Sequence, residues 1–132
     1  MAARRILVAE DQAAIRDLLR IALEEQGYVV DEANNGVEAL VRLREHRPNL
    51  VILDLLMPVV DGFTFVQAAL HEPNGKDVPI LVLSAVPSLF DVTATLPVRM
   101  VMSKPFDIDV LLGHVHRLTA PSGPGGAGSA GD

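Results

Sequence analysis

The chain has 132 residues, a length typical of one domain with its own core, and 49% of its residues are hydrophobic. The absence of cysteine excludes a disulfide scaffold, a cysteine-ligated metal and thiol chemistry. A formal net charge of −6 opposes binding of this segment to nucleic acid or an anionic membrane. No signal peptide and no apolar run of about 20 residues is present, so we expect a cytoplasmic protein.

Short apolar runs alternate with amphipathic stretches along the chain. The runs lie at residues 6–9, 28–30, 50–53, 80–83 and 98–102. Most are rich in Val, Ile and Leu without strict alternation, which is typical of parallel strands covered on both faces. The sequence therefore predicts a three-layer α/β sandwich in which right-handed crossovers join successive strands.

The stretches between the runs carry apolar residues at helical spacing. The apolar stripes are Ile15, Leu18, Leu19 and Ala22; Val37, Leu40 and Val41; Phe63, Val66 and Leu70; and Ile108, Leu111, Leu112 and Val115. Gly27 is expected to end the first helix and Asp107 to cap the last. Prolines in the stretch 85–97 predict a short or irregular helix there. The composition of residues 120–132, mostly Gly, Ala, Ser and Pro, predicts a flexible tail or linker after a domain at 1–119.

Chemically active side chains follow four of the five runs. They are Glu10, Asp11, Asp54, Ser84 and Lys104. Functional groups collect outside the carboxyl ends of an open parallel sheet, so these side chains are expected to converge. Clustered carboxylates repel one another, and a cation that prefers oxygen ligands, such as Mg²⁺, would remove that cost. A phosphoryl group arriving on a carboxylate there would meet the metal, an ammonium and a hydroxyl.

Each of these residues alone also has a purely structural explanation. An Asp that follows a strand is commonly a turn former or a helix cap, and a lone Lys is commonly a solvated surface residue. Asp61 and Gly62 are interpreted as a turn and a helix start. The histidines are expected on the surface and lack the spacing of metal ligands on a helix: His46, His71, His114 and His116. Agreement at four strand ends favours a functional site.

Four segments resemble the receiver domain of bacterial two-component response regulators. They are Ile6-Leu7-Val8-Ala9-Glu10-Asp11, Asp54-Leu55-Leu56-Met57-Pro58-Val59-Val60-Asp61-Gly62, Leu83-Ser84-Ala85 and Lys104-Pro105-Phe106. The resemblance extends from about Arg5 to Leu118, and the segments follow one another in the family's order. It implies a five-stranded parallel sheet in the order 2-1-3-4-5 with helices on both faces.

The resemblance implies that Asp54 accepts a phosphoryl group and that Ser84 and Lys104 bind the phosphoryl oxygens. The donor would be a phosphohistidine of a sensor histidine kinase or a histidine phosphotransfer protein. The bond before Pro105 is expected to be cis. An output partner or a second copy of the chain would bind through the 85–118 face. Neither nucleic acid nor a membrane is expected as a partner of this domain.

The same resemblance implies a Mg²⁺ site. Asp11 and Asp54 would bind the ion directly, the carbonyl of Leu56 would be a backbone ligand, and Glu10 would act through water. Val101 departs from the family, because it stands where a switch aromatic is usual. The neighbouring methionines of that run can be interpreted either as a partner surface or as core residues.

Three other functions are possible for such a chain. An aspartate-nucleophile phosphohydrolase would need a second Asp two residues after Asp54, where this chain has Leu56. A flavodoxin-like binding module would need a phosphate loop rich in Ser, Thr and Gly after the first strand, and none is present. A receiver that serves only as a scaffold would not need Asp54, Ser84 and Lys104 together, although sequence alone leaves it open.

Overall fold

The computed structural model describes residues 3–57, 61–85 and 98–120. The strands in these ranges are β1 (Arg5–Ala9), β2 (Val29–Ala33), β3 (Leu50–Asp54), β4 (Ile80–Ser84) and β5 (Met100–Ser103). The helices are α1 (Ala13–Glu25), α2 (Gly36–Glu45), α3 (Gly62–Ala69) and α4 (Ile108–Thr119). The predictions for a helix at 85–97 and a tail at 120–132 fall, except for their first residues, outside the described residues.

All strands pair in parallel in the order β2-β1-β3-β4-β5, which confirms the predicted sheet. The register places Asp54 beside Leu83 and Ser84 beside Ser103. The carboxyl ends of neighbouring strands therefore lie level with one another. This alignment gathers side chains that are far apart in sequence at one end of the sheet.

Alternate residues of each central strand face two separate core layers. On one face, strand residues such as Leu7, Val51 and Leu53 pack with α2 and α3. On the other face, Ile6 and Ile52 belong to a cluster that includes buried residues of α1 and α4. Because both faces are covered, β3 and β4 are buried along their whole length. Their apolar runs accordingly lack the polar alternation of a half-exposed strand.

The predicted face of α2 is right only in part. Of the predicted stripe, Leu40 packs against the core, whereas Val37 and Val41 are exposed. The buried residues are Gly36, Ala39 and Leu43, so the helix turns two small residues and one leucine toward the core.

The other helices follow their predicted faces in large part. Leu19 of α1 and both Leu111 and Val115 of α4 are fully buried, as their spacing predicts. The exceptions are Leu18, which is half exposed, and Leu70, which is the residue after α3 and is partly exposed. The apolar spacing therefore located the helices, but it overestimated the width of the buried stripe on two of them.

Local signals at the helix ends behave as predicted. Gly27 has a positive φ of 92°, a conformation that favours glycine, and it follows the end of α1. The Asp107 carboxylate accepts hydrogen bonds from the backbone N–H groups of Asp109 at 2.8 Å and Val110 at 3.2 Å. The Asp61 carboxylate caps α3 in the same way through Thr64 N at 2.9 Å. These caps begin α4 and α3 at the positions that the sequence indicates.

Two further predictions concern β5 and the residues that follow it: the cis bond before Pro105 and the packing of the two methionines. The bond between Lys104 and Pro105 is cis, as expected. Met100 and Met102 are partly buried against the core layer that contains α1 and α4, and Val101 packs against the opposite layer. The methionines therefore contact the core with part of their surface and remain partly exposed, so their use as a partner surface stays a prediction. Among the described residues, no helix combines the length and apolar character that crossing a membrane requires.

Candidate functional site

Three carboxylates meet where β1 and β3 end. Glu10, Asp11 and Asp54 each offer an oxygen atom, and these atoms lie within 4.8 Å of one another. Glu10 and Asp54 are 1% and 5% exposed, whereas Asp11 faces solvent. The parallel pairing of β1 with β3 creates this cluster, because it brings the residues after Ala9 next to the end of β3.

Glu10 is held by contacts to its backbone and to both carboxylate oxygens. Its N–H donates to the Ala33 carbonyl at 3.0 Å, and its own carbonyl accepts from Arg16 Nη1 at 2.8 Å. Its Oε2 accepts from Gln12 N at 3.1 Å, and its Oε1 accepts from Lys104 Nζ at 2.7 Å. Burial raises the pKa of the Glu10 carboxyl above its ordinary value, and the bond from Lys104 offsets part of this rise.

Lys104 is not a solvated surface lysine, because its side chain is only 11% exposed. Its Nζ contacts Glu10 Oε1 at 2.7 Å and Asp54 Oδ2 at 3.3 Å, and its backbone N–H donates to the Ser84 carbonyl at 2.8 Å. Burial by itself lowers the pKa of Lys104. The hydrogen bond to Glu10 and the charge of Asp54 outweigh burial, so the pKa lies above its ordinary value and the ammonium stays charged.

Asp54 is the last residue of β3, and two donors hold its carboxylate. Oδ1 accepts from Leu56 N at 3.0 Å, and Oδ2 accepts from Lys104 Nζ at 3.3 Å. Ser84, the last residue of β4, is fully buried. The Leu56 side chain is half exposed. The roles of Ser84 and of the Leu56 carbonyl remain predictions.

Gly62 supports the site in a way that the sequence analysis missed. A Cβ atom at this position would lie 2.7 Å from Leu55 Cα and 2.9 Å from the Asp54 carbonyl oxygen. The Gly62 N–H also donates to the Leu55 carbonyl at 3.0 Å. Glycine therefore allows the start of α3 to approach the backbone that carries Asp54. The Asp61-Gly62 pair was interpreted only as a turn and helix start, because sequence does not reveal such a close approach.

The carboxylate cluster fits the requirements of Mg²⁺. Magnesium binds hard oxygen ligands at about 2.1 Å, so two of its ligands lie at most about 4.2 Å apart. Adjacent ligands of this octahedral ion lie only about 3 Å apart, so the oxygens of Glu10, Asp11 and Asp54, which lie within 4.8 Å of one another, must move closer together to bind one ion. The carboxylates also outnumber the ammonium of Lys104 that contacts two of them, so negative charge remains for a cation to neutralise.

The chain belongs to the response regulator receiver domain family, whose sequence profile matches residues 6–116. It is 38% identical over 122 residues to the response regulator MprA of Mycobacterium sp. (strain KMS), an alignment that covers 91% of this chain and 52% of MprA. It is 35% identical over 116 residues to the DNA-binding dual master transcriptional regulator RpaA of Synechocystis sp., covering 86% of this chain and 48% of RpaA. The chain thus spans about half the length of these relatives.

A solved structure shows the same architecture. The chemotaxis protein CheY4 of Vibrio cholerae is 31% identical and superposes with a TM-score of 0.82, covering 89% of this chain and 99% of CheY4. The predicted family and fold are both confirmed. The chain is a receiver domain of the kind found in two-component response regulators, and it carries an acidic cluster suited to magnesium.

Proposed function

We propose that Asp54 accepts a phosphoryl group from a phosphohistidine of a sensor histidine kinase or a histidine phosphotransfer protein, with Mg²⁺ as cofactor. The observation that carries this proposal is the position of Lys104, whose ammonium bridges the carboxylates of Glu10 and Asp54. A carboxylate, an ammonium and a cation-binding cluster thus occupy one end of the sheet. Phosphoryl transfer needs these groups, because its catalysis consists mainly of positioning and charge neutralisation.

In the proposed reaction, an oxygen of Asp54 attacks phosphorus while the bond between phosphorus and the donor imidazole nitrogen breaks. The imidazole leaves with the electron pair of that bond, and Asp54 becomes an acyl phosphate. Lys104 Nζ lies 3.3 Å from Asp54 Oδ2, so a small movement of the ammonium brings it to the new phosphoryl oxygens. Ser84, at the end of the adjacent strand, would donate its hydroxyl to another of these oxygens.

We propose that Asp11, Asp54 and the Leu56 carbonyl bind Mg²⁺ directly. When bound, Mg²⁺ would neutralise the negative charge that develops on the phosphoryl oxygens. Glu10 is proposed to bind through water, as the family resemblance implies, and its carboxylate oxygens accept hydrogen bonds from Lys104 and Gln12. The exposed carboxylate of Asp11 offers the incoming ion a ligand on the solvent side of the cluster.

Phosphorylation of the intact chain by acetyl phosphate tests this proposal. Intact-mass spectrometry should show one added phosphoryl group with Mg²⁺ and none after its removal by EDTA. Asp54→Asn should stay unmodified. Asp61→Asn is the matched control, because Asp61 lies outside the carboxylate cluster and Asn is an equally good helix cap, so it should label normally. Normal labelling of Asp54→Asn would overturn the assignment of the phosphoacceptor.

We also propose that the receiver domain occupies residues 1–119 and that 120–132 form a tail or linker. The greater length of MprA and RpaA supports an effector region beyond the linker in the whole protein. The output would then pass through a partner or a second copy bound at the 85–118 face. DNA contact, which the name of RpaA records for that protein, would belong to the effector region. A cytoplasmic location suits a domain that receives its phosphoryl group from an ATP-dependent kinase.

A further inference from the structure

Arg16 connects helix α1 to the loop that carries two of the carboxylates. Its side chain is 19% exposed and turns back toward the segment 10–12, which joins β1 to α1. Arg16 Nη1 donates to the Glu10 carbonyl oxygen at 2.8 Å. The Nε of the same guanidinium donates to Glu32 Oε1 on β2 at 3.3 Å. The arginine therefore links the helix, the loop and the edge strand of the sheet.

The Glu10 carbonyl is significant because it belongs to the same peptide unit as the N–H of Asp11. A peptide unit is planar, so a hydrogen bond to the carbonyl fixes the direction in which the chain enters Asp11. Asp11 is the exposed carboxylate of the cluster and lies outside the dense packing that holds Glu10 and Asp54. A donor that orients this peptide unit therefore restrains the least buried of the proposed metal ligands.

Glu32 in turn orients Arg16. One of its carboxylate oxygens contacts Arg16 Nε at 3.3 Å, and the other contacts Arg20 Nε at 3.2 Å. The planar guanidinium has donors in fixed directions, so a contact at Nε restricts where Nη1 can point. Arg20 lies one helical turn further from the loop, and its ion pairs within the described residues are with Glu32, Asp17 and Glu24. It shares the charge and partner of Arg16, but none of these contacts is with Glu10.

We propose that Arg16 is a positioning residue of the metal site, which holds the 10–12 loop in its ion-binding arrangement through the Glu10 carbonyl. This inference rests on the proposed binding of Mg²⁺ at the carboxylate cluster. It assigns a role in cation binding to a positively charged side chain. Simple electrostatics predicts the opposite, because a nearby positive charge repels a divalent cation.

The opposite signs of the two effects make the proposal testable. Removing the charge of Arg16 or Arg20 should by itself tighten Mg²⁺ binding slightly. Loss of positioning should instead weaken binding, and removal of supporting partners around metal ligands commonly costs 10-fold or more, so we expect about tenfold for Arg16→Met. Arg20→Met should bind Mg²⁺ as well as the unmodified chain or slightly more tightly.

Isothermal titration of Mg²⁺ into the intact chain measures these affinities. Arg16→Lys and Arg20→Lys form a second pair, in which the charge is kept and the two-directional donor geometry is lost. Arg16→Lys should weaken binding, and Arg20→Lys should leave it unchanged. If Arg16→Met does not fold, Arg16→Lys becomes the deciding variant. In acetyl phosphate labelling, the Mg²⁺ concentration needed for half-maximal rate should rise, while the rate at saturating Mg²⁺ is retained.

The double variant Arg16→Met with Glu32→Gln tests whether Glu32 affects Mg²⁺ affinity through Arg16. If Glu32 acts by orienting Arg16, adding Glu32→Gln to Arg16→Met should weaken binding less than Glu32→Gln does in the unmodified chain. Unchanged or tighter Mg²⁺ binding in Arg16→Met, or equal weakening in Arg20→Met, would overturn the inference. Failure of the unmodified chain to bind Mg²⁺ would instead overturn the proposed function, so the two failures are distinct.

Discussion

The ammonium of Lys104 lies 2.7 Å from Oε1 of Glu10, and this ion pair joins the ends of two strands that are not neighbours in the sheet. β3 and β4 separate β1 from β5. The lysine reaches Glu10 because the carboxyl ends of the strands lie level with one another, and Glu10 itself is buried. Without a metal ion, Lys104 supplies positive charge to a carboxylate that is removed from water.

Lys104→Met should destabilise the metal-free protein. The substitution leaves the buried Glu10 carboxylate without its charged partner, which costs roughly 2–3 kcal/mol in the free energy of unfolding. Urea unfolding in EDTA measures this loss, and excess Mg²⁺ should reduce it by supplying positive charge to the same cluster. Lys76→Met is the control, since Lys76 is exposed and lies in the segment between α3 and β4. Equal losses with and without Mg²⁺ would show that Lys104 does not balance the charge of this cluster.

The stability of the metal-free protein should depend on the ionisation of Glu10. Its pKa is raised on folding, so its contribution is fully present below the ordinary value of 4.5 and is lost as pH rises through the higher value of the folded state. Glu10→Gln removes this dependence. The stability of the variant relative to the unmodified protein should therefore increase with pH above 4.5 and then level off. Urea unfolding of both proteins across this range in EDTA provides the test, and a difference that falls with pH would contradict it.

Asp11→Ala should stabilise the metal-free protein and abolish Mg²⁺-dependent phosphorylation. The substitution relieves repulsion in the carboxylate cluster, but Asp11 is exposed, so solvent keeps the gain below about 1 kcal/mol. Thermal unfolding in EDTA and acetyl phosphate labelling with Mg²⁺ measure the two effects. Asp77→Ala, which removes an exposed Asp outside the cluster, should leave labelling intact. Normal labelling of Asp11→Ala would show that Asp11 is not a metal ligand.

The acyl phosphate should be long-lived, because the two residues that flank the attacking water in the family are apolar here: Leu56 and Val86, of which Val86 lies outside the described residues. Leu56, two residues after Asp54, is half exposed beside the site and offers no side-chain hydrogen bond to orient that water. Leu56→Gln should speed hydrolysis by roughly tenfold. A general base would increase the rate by about 100-fold or more, but Gln can only orient the water and cannot take its proton. The time course of mass loss after donor removal measures the rate, with Leu70→Gln as an exposed control. A lifetime of seconds in the unmodified protein would refute this.

A methyl group at Gly62 should disturb the site, whereas one at Gly113 should not. Gly62→Ala places Cβ against the backbone of Leu55 and Asp54, which should destabilise the fold by roughly 2 kcal/mol or more and slow labelling of Asp54. Gly113 lies inside α4, and beyond its chain neighbours and the backbone of its own helix no atom of the described residues lies within 4 Å of the added Cβ. Gly113→Ala should stabilise the protein by about 0.5–1 kcal/mol. Thermal unfolding measures both, and equal effects would exclude a special role for Gly62.

The sequence predicted the strands and the convergence of their ends because each follows from local patterns. Buried parallel strands are short apolar runs, and parallel pairing brings all their carboxyl ends to one edge of the sheet, whereas the order of the strands was implied by the family resemblance. Part of the packed face of α2 was missed, because Ala39 gives a weaker apolar signal than Val37 or Val41 although it is buried and they are exposed. Arg16 and Gly62 were missed for another reason. Their importance lies in contacts with Glu10 and Leu55 that depend on the tertiary fold.

The separation of 94 residues between Glu10 and Lys104 has a consequence for synthesis of the chain on the ribosome. Asp54 and both acidic residues after β1 emerge well before Lys104 does. A nascent or prematurely released chain that ends before β5 carries the proposed phosphoacceptor but lacks the ammonium that contacts it. Under the proposed function, responsiveness to the signal requires the last strand to join the sheet, so we expect translation products that end before β5 to be inactive as receivers.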